Sequence, residues 1–232
     1  MIATHDTSAC RPAPPPPLAR AARMVDRWGL VAGVTGVLAN ILLAVLFATS
    51  EYGPYSWTGP ANDTVGIVSA LAMIPFAAGL LAVCGNSPGL GALTSLAIVA
   101  MLVIAAVSLL FVIGLAPFDA DVGSSYVGMI FIFGWLFAAS RAGRASGRLP
   151  RQAGNWGVAL GVAGLAGASL LTASALMPAH SVIYGITFGA GAAATGPVVL
   201  GYPVWQIVLS YRLPGYLAHH ADQRGAEQSG VI

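Results

Sequence analysis

Lysine is absent from this chain and charge of either sign is scarce: ten arginines and eight acidic residues make up the whole complement. Soluble domains carry about 25% charged residues, against 8% here, so these residues cannot build a shell that faces water on all sides. Only two cysteines are present, Cys10 and Cys84, and neither sits in a CxxC or histidine spacing. That removes metal-binding and redox motifs from consideration. No stretch matches a phosphate loop, a dinucleotide fingerprint, a zinc pair or a serine-nucleophile elbow. The GxG at 189–191 lies in an apolar run with no strand before it. No cofactor and no metal are expected, and a net charge of +2 carried by arginine alone is no argument for a nucleic-acid partner.

Apolar length is what remains. The chain is 57% hydrophobic with a mean hydropathy of +0.80, and several uncharged runs reach about 20 residues. At about 1.5 Å per residue such a run crosses the roughly 30 Å of bilayer hydrocarbon as a helix. Lipid offers no partner to an open backbone, and the runs lack the alternation of a barrel strand. The expectation is an all-α polytopic membrane helix bundle with six transmembrane helices at about 28–49, 63–84, 90–116, 123–140, 155–177 and 182–211. Residues 1–27, rich in proline and arginine, read as a disordered cytoplasmic tail, and 212–232 as a polar cytoplasmic tail.

Orientation follows from the arginines. Four lie in the N-terminal segment, four in the connector at 140–155 and two in the C-terminal segment, while the alternating loops carry none. Six spans place those three segments on one side, and the positive-inside rule makes that side cytoplasmic, with both termini. The opposite side then holds Glu51, Asp63, Asp119, Asp121 and His180. Trp28, Trp156 and Tyr211 inside, and Tyr52, Trp57 and Tyr126 outside, fall where interfacial aromatics belong. With this composition the expected location is a bacterial inner membrane, crossed several times.

Within the spans, Gly29, Gly33, Gly36 and Asn40 share one helical face. Small residues let helices approach closely, and an amide in hydrocarbon needs a partner, so this face should pack on another span. The fifth and sixth spans carry Gly157, Gly161, Gly164 and then Gly185, Gly189, Gly196 at similar offsets, and only a short link joins them. A close-packed hairpin is expected there. Pro75 should bend the second span, and Pro197 and Pro203 should bend the sixth or split it. Asn62 or Asp63 reads as the N-cap of the second span.

Chemistry can be sought in one place, the acidic side. Asp63 and Glu51 are the candidate catalytic residues, because carboxylic acids beside aromatic faces can protonate an apolar substrate and stabilise a developing cation. Asp63 is the first to test, as a cap at the membrane boundary is partly desolvated. The candidate ligand-binding residues are Tyr52, Trp57, Tyr126 and Tyr184 around that mouth, with the buried amides Asn40 and Gln206 below it. Each has a plainer reading, as belt aromatics, helix cap or packing amide. Beyond Asp63 at the very start of the second, the spans hold no Asp, Glu, Lys, Arg or His, which weighs against a proton-coupled pump.

The proline-bearing SALAMIPFAAGL at 69–80, LPRQAGNWGVALG at 149–161 and GYPVWQIVLSYRL at 201–213 resemble the small, uncharacterised six-span inner-membrane proteins of high-GC bacteria. The resemblance is one of packing and brings no functional residue with it. In character only, the acid-and-aromatic mouth also looks like that of small membrane-embedded terpene cyclases. The leading expectation is a non-enzymatic membrane protein, either a partner subunit or a binder of a lipophilic small molecule. The alternatives are an isoprenoid or terpene cyclase-like enzyme and a small-molecule facilitator. Expected partners are the lipid bilayer and either a lipophilic molecule or another membrane protein.

Overall fold

A computed structural model describes residues 16–49, 56–178 and 180–228, and these form α1 (Pro16–Thr49), α2 (Thr58–Cys84), α3 (Pro88–Val112), α4 (Phe118–Ala145), α5 (Arg151–Ala175) and α6 (Val182–Gln228). All six are long and apolar enough to cross a membrane. Large apolar side chains stay exposed along their flanks, as with Leu96, Val99, Leu102, Val103 and Leu109 of α3. In water such a surface would aggregate; in hydrocarbon it is the surface a span must present. The chain is a six-span membrane helix bundle.

Each helix packs on its neighbour in sequence, α6 closes against α1, and α2 touches α4 across the ring. The connections alternate between the two ends. One end carries the connector between α4 and α5 with Arg141, Arg144, Arg148 and Arg151, and is called the arginine end. The other carries Asp63, Asp119 and Asp121 and is called the acidic end. The tight turn expected between the second and third spans is present. Cys84 ends α2, Gly85 takes φ 102°, and Ser87 caps α3 by accepting from Leu90 N with Pro88 at the first helical position.

Several helix ends differ from expectation. Of the segment 1–27 read as disordered, residues 16–27 belong to α1 and 1–15 lie outside the described residues. Pro16 and Pro17 sit in the first turn, where a missing amide hydrogen costs nothing, and Ala21, Ala22 and Val25 are buried behind them. Gly79 of α2 is pressed so closely on Ala21, Met24 and Val25 that no Cβ would fit without displacing them. The C-terminal segment read as a polar tail instead continues α6 to Gln228, burying Leu213 and Leu217 one turn apart. The sixth span is one helix of 47 residues containing Pro197, Pro203 and Pro214, about 70 Å at the helical rise. α2 begins at Thr58 with Trp57 in the N-cap position, so Asn62 and Asp63 lie inside the helix and cap nothing.

The stripe on α1 packs as its spacing suggests. A Cβ on Gly33 would meet the Pro203 carbonyl at 2.7 Å and one on Gly36 the Pro203 ring at 2.9 Å, while Gly29 faces Ser210 and Phe76. The glycines of α5 behave differently. Gly161 and Gly164 receive Phe137 and Phe133 of α4 rather than α6. α5 meets α6 instead through Gly167 against Gly191 and Thr195, and through Leu160 against Gly201, while Gly185, Gly189 and Gly196 face open space.

Candidate functional site

An aromatic layer closes the bundle toward its arginine end. Phe76 of α2 stands edge-on to Trp135 of α4 and Trp205 of α6, with ring centroids 6.4 and 6.1 Å away. Tyr202 stacks on Trp205 at 6.0 Å and meets Phe133 edge-on at 5.9 Å. Such arrangements suit the ring quadrupoles. Trp205 Nε1 donates to the Ala153 carbonyl of α5 at 2.8 Å, and Ser210 Oγ donates to the carbonyls of Val25 and Gln206. Gln206, proposed from sequence as a ligand contact, is 1% exposed and sits within this layer.

Toward the acidic end the packing loosens. α1 has no buried residue after Gly33, α2 none from Gly59 to Leu71, α4 none before Gly128 and α6 none before Gly191. A helix whose inner face is covered buries a position every three or four residues. Three turns of α2 and the outer part of α1 bury none, so this end of the bundle is packed more loosely than the arginine end. Gly66, one turn from Asp63 on the same face, has nothing within 4 Å of its Cβ position. α3 and α5, by contrast, stay buried as far as Ser108 and Ser174.

Asn40 stands where the packed and open halves meet. Its Nδ2 donates to the Val199 carbonyl of α6 at 2.8 Å. Residue 203 would normally supply the helical donor for that carbonyl, but it is proline and has no amide hydrogen. An amide on one span thus replaces the hydrogen bond that proline removes from another. This engages Asn40 structurally, as the smooth face ending in an amide implied.

At the rim, Asp63 of α2 is half-buried, accepts from Asn62 Nδ2 at 3.1 Å and lies within electrostatic reach of Asp121 of α4. Asp121 accepts from Ser108 Oγ of α3. Tyr126 of α4 and Tyr184 of α6 are likewise within electrostatic reach of each other, and Tyr184 stacks on Phe188 at 5.7 Å. Of the mouth residues sought from sequence, Asp63 and Asp121 thus form one such pair and Tyr126 and Tyr184 another. Trp57 is 59% exposed, and Asp119 and His180 are exposed, as suits the interface. Glu51, Tyr52 and Tyr55 lie outside the described residues.

Sequence reasoning missed Ser108 and the aromatic layer. Trp135 and Trp205 offered a signal, since tryptophan in the interior of a span, away from its ends, is out of place for an interfacial belt. No family model, curated protein or solved structure matches this chain.

Proposed function

We propose that this six-span protein resides in a bacterial inner membrane with its arginine end in the cytoplasm, and binds a lipophilic molecule in a cleft between its loosely packed helices at the acidic end. One observation carries the binding reading: no residue of α1 beyond Gly33, of α2 from Gly59 to Leu71, of α4 before Gly128 or of α6 before Gly191 is fully buried, above an aromatic layer of Phe76, Trp135 and Trp205. Clefts between bundle helices, largely apolar with a few convergent polar groups, are common small-molecule sites. Asp63, Tyr126 and Tyr184 at the rim would set the orientation of a ligand whose apolar body lies below. The same aromatic floor, with Asn40 engaged and Gln206 buried, weighs against a continuous polar path for a facilitator.

The test uses full-length protein in nanodiscs and a diazirine-bearing isoprenoid alcohol, with crosslinks located by peptide mapping. Labelling concentrated on α2 between Gly59 and Leu71 is expected, and Gly66→Phe, which fills open space beside Asp63, should abolish it without lowering stability. Labelling spread evenly over the lipid-facing flank of α3 would sink the proposal.

A second reading, an acid catalyst acting on an isoprenoid or other lipid, is favoured by the half-buried Asp63 carboxyl and the partly buried Tyr126 and Tyr184 at the same end, since carboxylic acids and aromatic rings together can protonate an apolar substrate and stabilise the cation that forms. An unchanged cellular lipid profile in Asp63→Asn would remove its motive. Orientation is tested separately, by reporter fusions at Gly147, which should be active only for a cytoplasmic reporter.

A further inference from the structure

We propose that a groove at the arginine end, distinct from the acidic-end cleft, binds a phosphate group. It has a volume of about 420 Å³ and is lined by Arg144, Gly147, Leu149, Arg151, Asn155 and Tyr216. The size falls within the range of small-ligand sites, about 300–1,000 Å³. Two guanidiniums line it and no carboxylate does.

The local fold builds this groove rigidly. Gly147 takes φ 65° and turns the connector, and Arg148 N and Leu149 N both donate to the Gly143 carbonyl. Leu149, 1% exposed, is driven in against Gly143 beside Cys84. Tyr216 Oη, from the extension of α6, donates to the Gly147 carbonyl at 3.1 Å and forms the far wall. The Arg144 stem lies on Gly154, and its Nη1 donates to Asn155 Oδ1 at 2.8 Å. One of the five guanidinium N–H donors is thereby used for positioning, and among the described residues the others have no partner. The Asn155 Nδ2 is left to donate in turn. Among the described residues Arg151 has no side-chain partner, and it opens α5, whose first amides receive no side-chain cap.

The groove and its two arginines carry the assignment, and the uncapped amides of α5 add donors and a positive end of the helix dipole beside them. Arginine presents a planar fork that matches phosphate oxygens. Depth supports the same chemistry. Trp156, 36% exposed, lies just past Asn155 at the interfacial level where tryptophan concentrates, so the groove opens among lipid headgroups. Basic pockets between spans are suited to anionic headgroups. A phosphate on a soluble molecule would meet the same donors.

The full-length protein is titrated, by thermophoresis in neutral detergent, with dioctanoyl phosphatidylglycerol, dioctanoyl phosphatidylcholine and inorganic phosphate. Phosphatidylglycerol should bind more tightly than phosphatidylcholine. Arg144→Gln or Arg151→Gln should each weaken it about fivefold and the pair about 30-fold, given the usual gain per basic residue near a membrane surface. Arg141→Gln, at the same end but outside the groove, should leave binding unchanged. If inorganic phosphate binds with the same arginine dependence and the lipid does not, the phosphate chemistry stands and its source is soluble. Wild-type affinity in the double variant, or no binding of either probe to the wild type, overturns the proposal. Among the described residues Arg151→Gln breaks no side-chain hydrogen bond or ion pair, so it remains decisive if Arg144→Gln disturbs folding.

Discussion

Proline in a membrane helix creates a debt that some other group must meet, and here the creditor and the debtor sit on different spans. Pro203 leaves the Val199 carbonyl without its helical donor, and Asn40 Nδ2 supplies one at 2.8 Å. Side-chain hydrogen bonds between spans average about 0.6 kcal/mol and reach ~1.7 kcal/mol. This one replaces a missing bond rather than supplementing a satisfied one, so Asn40→Ala should cost about 1–1.5 kcal/mol, in the upper part of that range. In Pro203→Ala the backbone amide returns, Val199 regains its own donor, and the same Asn40→Ala change should cost about 0.5 kcal/mol or less. The double-mutant cycle therefore predicts a coupling of about 1 kcal/mol, and it cancels the loss of the Pro203 ring against Gly36 because that loss is common to both arms. Reversible unfolding in mixed micelles of rising SDS content would measure it, with the buried Trp135 and Trp205 as fluorescent reporters. An equal cost of Asn40→Ala in both backgrounds would refute the reasoning, since the amide would then be serving something other than the carbonyl that proline exposes.

Four further outcomes are expected in the same assay. Gly161→Ala places a methyl 2.6 Å from Phe137 N and 2.7 Å from its Cα; backbone cannot swing aside as a side chain can, so a loss of about 1–3 kcal/mol is expected. Gly189→Ala meets open space and should be neutral or stabilising by up to about 1 kcal/mol, from helix propensity. Arg148 Nη1 donates to the Val83 carbonyl at 3.1 Å, placing a cation on the last turn of α2, so Arg148→Ala should cost about 1 kcal/mol. Exposed Arg141, replaced in the same way, should change stability by less than about 0.5 kcal/mol.

The number and order of the helices could be read from the chain because lipid leaves an apolar run no alternative to helix. Their ends could not. An apolar run stops where polar residues begin, whereas a helix continues as long as a neighbour covers one of its faces. Ala21 and Val25 are covered by Gly79 of α2 and Ser210 reaches the Val25 carbonyl from α6, so residues 16–27 stay helical, while buried Leu213 and Leu217 carry α6 on to Gln228. The start of α2 was misread for a related reason. Asn62 and Asp63 have the right chemistry for a cap, but Pro60 fits the first turn of a helix begun earlier at Thr58. Of the candidate site, the stripe ending in Asn40 was legible because spacing reveals a smooth face. Its partner was not, because spacing says nothing about what lies opposite. Gly185, Gly189 and Gly196 share the pattern and face open space.

That contrast explains where the cleft begins. Water does not squeeze two spans together inside a bilayer, since lipid tails are as apolar as leucine; close approach has to come from small residues that let backbones meet or from polar groups that need a partner. α1 offers both from Gly29 to Asn40 and then neither, for 41–47 reads Ile-Leu-Leu-Ala-Val-Leu-Phe. Ile41 and Phe47 are 54% and 68% exposed, at home in lipid. Nothing draws this part of α1 onto the glycine- and alanine-rich start of α6, although α6 presents a face that could accept it. The Asn40–Val199 bond therefore ties α1 to α6 at the border between the closely packed half and the looser one. Weakening it should lengthen the cleft toward Gly36 as well as destabilise the fold, and in Asn40→Ala the isoprenoid crosslinks proposed for α2 should extend past Leu71 toward Phe76. Crosslinks that keep their limits at Gly59 and Leu71 in that variant would mean the floor is held by the aromatic layer alone.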